Sequence, residues 1–253
     1  MILQRLDVPP KPVPMASVFV QKSPLGAHVG VLYRDDAGGA WLLHQAWNRD
    51  SRNETFDAFR AGTRGAPLFL VPPGLDVDEQ SAVRASAVLA AKLLPEGGLP
   101  YAFGSATLDR EKGFLLGESC GLSCATLVNV VFQTARVALV DESTWASQRT
   151  SKREAEDREA KTRVAAWLNA GDREQALRIG SEPELGRPRL RAEEVAAASS
   201  QTTRPLDLCT AEPLGQQVLA EMDSLIAEVS TPALPVEQPL TKDVTVNAGL
   251  RTE

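Results

Sequence analysis

Apolar residues fall in short runs over the first third of the chain, divided by Gly, Pro and Asp, a spacing that predicts strands before helices. Residues 17–20 and 28–33 read as strands separated by Ser23, Pro24 and Gly26. Residues 40–47 predict a third strand, reached through Asp35, Asp36, Gly38 and Gly39, a turn signature that folds it back on the second as a hairpin. Residues 67–71 make a fourth, closed by Pro72 and Pro73. The period then lengthens. Val83, Ala87, Leu89, Ala90, Leu93 and Leu94 recur at helical spacing within 78–94, and Pro95, Gly97 and Gly98 end that helix. A second helix is predicted from Ser123 to about residue 137. Ser123 or a neighbour caps it, and Leu127, Val128, Val131 and Phe132 form its buried stripe.

Past Asp141 the pattern changes. Residues 151–169 mix Lys, Arg, Glu and Asp with Val164, Trp167 and Leu168, which predicts an exposed amphipathic helix. Residues 174–179, 192–198 and 216–229 predict further helices separated by Gly and Pro. Pro, Thr and Glu dominate from Ser230 onward, a composition that predicts disorder. Residues 1–15 read as a Pro-rich arm, too punctuated for a helix. The expected plan is this arm, an α+β domain over 16–145 with an antiparallel sheet packed on helices, a helical extension over 146–229, and a tail over 230–253. The extension is expected to serve as a lid, a dimer arm or a partner-binding element.

Composition narrows the function classes. The 253 residues are 43% hydrophobic, enough to bury a core. A net charge of −6 argues against nucleic acid as the main partner, because phosphate binding needs clustered positive charge. No apolar run approaches the ~20 residues of a membrane-spanning helix. Pro9, Pro10, Pro12 and Pro14 break up the first 15 residues, so no secretory signal is expected. A cytoplasmic protein is the expectation, and export by a signal-independent route would leave no mark. Three cysteines do not make a disulfide framework, which turns attention to a single reactive thiol and to the two histidines, His28 and His44.

Cys124 lies where a loop runs into the second helix. Free backbone N–H groups and the helix dipole at that end favour a thiolate, and the same N–H groups can hold an oxyanion. The plain alternative is a small buried hydrophobe. The histidines add weight. In a hairpin centred on Asp36, His28 stands directly opposite His44, with β-carbons ~5 Å apart on one sheet face. One imidazole then takes the thiol proton while the other orients it. Cys120 and Cys209 read as incidental, the first in a loop and the second in a Pro- and Thr-rich segment. Zinc is disfavoured, because the C-x₃-C spacing of Cys120 and Cys124 has no matching H-x₃₋₅-H pair. Asp76, Asp78 and Glu79 read as helix-capping acids. Trp41 and Trp47 flank His44, as core residues or cleft walls.

The segment Gly26-Ala27-His28-Val29-Gly30-Val31-Leu32-Tyr33, the hairpin with His44, and Ser123-Cys124-Ala125-Thr126-Leu127-Val128-Asn129 together resemble the circularly permuted branch of the NlpC/P60 papain-like superfamily. In that branch histidine precedes cysteine, and the motifs are most similar to those of lecithin:retinol acyltransferase and the H-Ras-like acyltransferases. Bacterial predicted cysteine hydrolases also resemble it, with a Tyr-containing segment before the cysteine like Pro100-Tyr101-Ala102-Phe103-Gly104 here. The likeness covers residues 16–140. It implies a permuted papain-like core in which Cys124 is the nucleophile, His28 the base and His44 the third member. Ser123, Tyr101 and Trp47 are candidate substrate-binding or oxyanion residues, and no cofactor or metal is implied. The implied activity is a thiol hydrolase acting through an acyl-enzyme on an amide, such as a peptide or a peptidoglycan stem peptide, as a secreted antibacterial effector in the latter case. Lipid-ester phospholipase or acyltransferase activity and a non-catalytic binding module stay open, as do a protein partner and self-association through the extension. Three departures stand out: the hairpin is longer than in the acyltransferases, Ser123 occupies a place where they usually have Asn, and no membrane-spanning tail follows.

Overall fold

The computed structural model describes residues 3–230 apart from 24–25, 64–65 and 118–119. All but the first residue of the expected tail lies outside the described residues. The centre is a six-stranded antiparallel sheet: β1 (Gln4–Arg5), β2 (Ala16–Ser23), β3 (Gly26–Arg34), β4 (Ala40–Trp47), β5 (Asp50–Thr55) and β6 (Leu68–Val71), in the order β1-β6-β2-β3-β4-β5. A separate hairpin joins β7 (Ala106–Asp109) to β8 (Gly113–Leu116). The α+β class with an antiparallel sheet packed on helices is as expected.

Alternation along the strands gives the sheet two apolar faces. Val18, Val20, Val29, Val31, Leu43, Phe69 and Val71 point to the larger core, built with α2 (Val77–Lys92), α3 (Cys124–Thr134), α8 (Ala192–Ser199) and α9 (Leu208–Ser230). Phe19, Leu32, Leu42, Leu68 and Leu70 point the other way, where α1 (Phe56–Gly62) covers them with Phe56 and Phe59. The remaining helices are α4 (Trp145–Gln148), α5 (Ser151–Leu168), α6 (Arg173–Gly180) and α7 (Glu182–Gly186). A third apolar cluster seats Val164, Leu168, Ala176 and Ile179 of α5 and α6 on Tyr101, Ala102 and Phe103.

The hairpin register differs from the expected one. A five-residue loop built around Asp35 centres the turn on Ala37, so His44 faces Gly30 and Ala40 faces Arg34. The Asp35 carboxylate accepts from Gly39 N at 2.6 Å and Trp41 Nε1 at 2.8 Å, which fixes this loop length. His28 is therefore diagonal to His44 rather than opposite. The displacement is two residues, and because side chains alternate with period two, both rings stay on one face.

Two elements near the site are absent from the sequence expectation. β5 carries no apolar residue, so no hydrophobic period marks it, and it forms as an edge strand against β4 across an irregularity between Gln45 and Trp47. α1 follows at once, with Thr55 Oγ1 accepting from Ala58 N. In contrast, α2 begins on the expected acidic cap, where Asp76 and Glu79 each accept from the other's backbone N–H.

Candidate active site

β3 pairs with β4 only as far as Gly30↔His44, while its first residues, Gly26–Val29, pair with β2 alone. A cavity of about 490 Å³ opens where the two strands part. Cys124, His28, His44, Ser123, Tyr101 and Trp47 all line it. The three candidate catalytic residues and the three candidate substrate-binding or oxyanion residues thus line one cavity.

The histidines form a directed chain. His28 Nε2 lies 3.1 Å from His44 Nδ1, and His44 Nε2 lies 3.0 Å from Glu54 Oε1. The His44 hydrogen bond, ahead of burial, holds the Glu54 carboxyl below the ordinary range, so it accepts as a carboxylate. With Glu54 ionised and both imidazoles neutral, the His44 proton sits on Nε2, His44 Nδ1 accepts from His28 Nε2–H, and His28 keeps a lone pair on Nδ1. Phe19 supports both rings edge-on at 6.0 Å, and Phe59 meets His44 at 5.1 Å. Phe19 reaches this place across Gly30, where a Cβ would stand 2.5 Å from its ring and 2.7 Å from Leu43 O. Burial, then the neighbouring His44, lowers His28 to about 3, so its resting imidazole is neutral.

Cys124 is the first residue of α3, preceded by the cap Ser123. The backbone N–H groups of Val29 and Ala125 direct their positive ends at the sulfur, and Arg189 adds a charge. Burial outweighs all three and pushes the thiol up. The expected helix-end thiolate is corrected: the resting group is a thiol, because α3 is buried on every side from Cys124 to Phe132. Among the described residues no hydrogen bond joins the Cys124 thiol to His28.

Tyr101 is buried, and burial followed by the proximity of Cys124 raises its phenol well above the ordinary range. The hydroxyl makes no hydrogen bond among the described residues, while the Tyr101 backbone is held by Asn48 Oδ1 and Gln175 Nε2. Trp47 lies 5.1 Å from Tyr101 and 5.9 Å from Trp167, and Phe103 lies 5.6 Å beyond Tyr101. Ser123 Oγ accepts from Thr126 N at 3.1 Å, so its hydroxyl serves as the helix cap. Trp41 sits in the hairpin with its Nε1 on Asp35 and does not line the cavity.

Sequence reading missed Glu54, Phe19, Arg189 and Trp167. Glu54 had one local signal: Arg52 and Glu54 share the sheet face of His44 once β5 is paired. Arg189 has none, since it lies in an irregular link just before α8. Cys120, outside the cavity lining, has its Sγ 3.0 Å from Arg178 Nη1, and Cys209 is exposed on α9. No group of three or more His, Cys, Asp or Glu residues arranged to hold a metal occurs among the described residues, and none of the helices searched there is long and apolar enough to cross a membrane. Comparison with protein-family models, curated proteins and solved structures finds no match to this chain.

Proposed function

We propose that this chain is a cysteine-dependent hydrolase of the circularly permuted papain-like type, cleaving an amide through an acyl-enzyme. The observation that carries the reading is the one-way chain Glu54–His44–His28, which leaves a basic nitrogen on a ring that lines the same cavity as Cys124. In the first step His28 Nδ1 takes the thiol proton as sulfur attacks the carbonyl carbon. The Tyr101 hydroxyl, buried beside Cys124, is the donor suited to the developing oxyanion. The C–N bond then breaks, and His28 returns the proton to the leaving amine. Water, deprotonated by His28, attacks the thioester. The acid leaves and sulfur recovers its proton. Glu54 and His44 orient His28 throughout and stabilise its transient charge.

A peptide or peptidoglycan stem peptide is the substrate class of this reading, with delivery to an envelope as an exported effector in the latter case. A non-catalytic module is the second reading, favoured by the high thiol pKa and the missing hydrogen bond between Cys124 and His28. Acylation by p-nitrophenyl acetate, followed by intact-mass spectrometry, separates the two. The hydrolase reading expects one acetyl adduct on Cys124, absent in Cys124→Ala and formed roughly a hundredfold more slowly in His28→Ala. An unmodified Cys124, or an adduct that forms equally fast without His28, favours the binding module.

A further inference from the structure

We infer that Trp167, contributed by the helical extension, is the specificity-determining residue of this cavity and packs against an aryl group of the substrate, such as an aromatic side chain next to the bond that Cys124 attacks. The inference deepens the reading above and rests on it for the identity of the reacting centre.

Four rings that line the cavity form a row: Phe103, Tyr101, Trp47 and Trp167. Their centroids follow one another at 5.6, 5.1 and 5.9 Å, inside the range of roughly 4.5–7 Å over which aromatic rings pair. Phe103 and Tyr101 are buried at the inner end, with Cys124 close to Tyr101, and Trp167 stands 44% exposed at the outer end. Trp47 and Trp167 are tilted by 55° to each other. At that distance and tilt neither indole covers the face of the other, so a ring that enters the cavity meets both.

The fold holds Trp167 in place. Its neighbours on α5, Val164 and Leu168, are buried against Tyr101, Ala102 and Phe103. Just beyond, Asp172 accepts from Asn48 Nδ2 at 3.1 Å and Gln175 Nε2 donates to Tyr101 O at 2.9 Å. The polar side chains around the rings are engaged elsewhere. Gln45 donates to Leu99 O and accepts from Ser51, Ser123 caps α3 and Glu54 holds His44. Lys22 and Arg52, exposed at the rim, pair with Asp223 and Asp50. A sugar would bring several hydroxyls to a wall with few partners for them, whereas an aryl group needs none. Rings also attract one another beyond the area they bury, which favours an aryl body over a saturated one of equal size.

Calorimetric titration of the full chain with 3-phenylpropanamide and its saturated counterpart 3-cyclohexylpropanamide tests the inference without requiring turnover. The wild type is expected to bind the phenyl amide at least roughly threefold more tightly. Trp167→Leu and Trp167→Ala, at a half-exposed position that tolerates exchange, should both abolish the preference, and Trp167→Phe should keep part of it. Leu177→Ala, 65% exposed on α6 and outside the cavity lining, should leave it intact. A wild type that binds both probes alike, or neither, overturns the inference, as does a preference that survives Trp167→Leu or Trp167→Ala, or one that disappears in Leu177→Ala. Cys124→Ala should bind like the wild type. A phenyl preference in a protein that p-nitrophenyl acetate never acylates would retire the catalytic reading and leave the aryl subsite standing. Acylation of Cys124 in a protein without the preference would do the reverse.

Discussion

Each imidazole of the pair has one nitrogen engaged by the group behind it, so the proton affinity of the chain is expressed at a single atom, His28 Nδ1. The neutral resting state of that atom and the raised Cys124 thiol predict two different pH profiles. Acylation by p-nitrophenyl acetate needs His28 unprotonated, a condition met above about 3, and its rate should be flat from pH 5 to pH 8. Alkylation by iodoacetamide needs thiolate, and with the thiol raised it should climb steadily into the alkaline range. An alkylation rate already at its plateau at pH 6 would mean a preformed ion pair and contradict the electrostatics described above. Glu54→Gln removes the charge that sets the tautomers. Acylation should fall roughly tenfold or more, towards the ~10⁴ lost when the orienting acid of a triad is replaced. His28 and His44 were legible from their scarcity and spacing, whereas Glu54 was hidden in a strand without an apolar residue.

The elements place these atoms through close approaches more than through propensity. β3 parts from β4 beyond Gly30, the Val29 N–H turns towards Cys124, and α3 presents its first residue in the gap. Gly30 is the tight point, with Phe19 on one side and the Leu43 carbonyl on the other. Gly30→Ala forces one of them to move, and overpacking of this kind costs about 1–3 kcal/mol. Urea unfolding should show that loss, accompanied by slower acylation because Phe19 supports both imidazoles. A variant as stable and as active as the wild type would show that Phe19 has room to yield. The strands and long helices were legible from periodicity. The even displacement of the hairpin shows why the site survived a wrong register: a shift of two preserves the face, and a shift of one would have separated the rings.

Across the whole molecule, the C-terminal helices complete the site. α8 is buried along its full length and packs on β2, β3, α3 and α9, its alanines allowing close contact. The link that carries Arg189 is tied to α5 through buried charges: Arg153 Nη2 donates to Glu194 Oε2 at 2.9 Å and to Arg189 O at 3.1 Å, and Arg191 Nη2 donates to Asp157 Oδ1 at 2.9 Å. Glu194→Gln leaves Arg153 with a diminished counter-charge and should cost about 3 kcal/mol in urea unfolding, because one partner of a buried pair is removed. A loss below about 1 kcal/mol would mean that Asp157, 3.7 Å from Arg153 Nε, compensates. The sequence by itself determined the α+β class, the main strands and helices, and the candidates Cys124, His28 and His44, because periodicity, caps and rare residues are local signals. Only the tertiary structure decided the acid behind His44, the cation beside Cys124 and the resting protonation of the thiol. Each of those depends on burial and on partners far away in the chain, which no local pattern records.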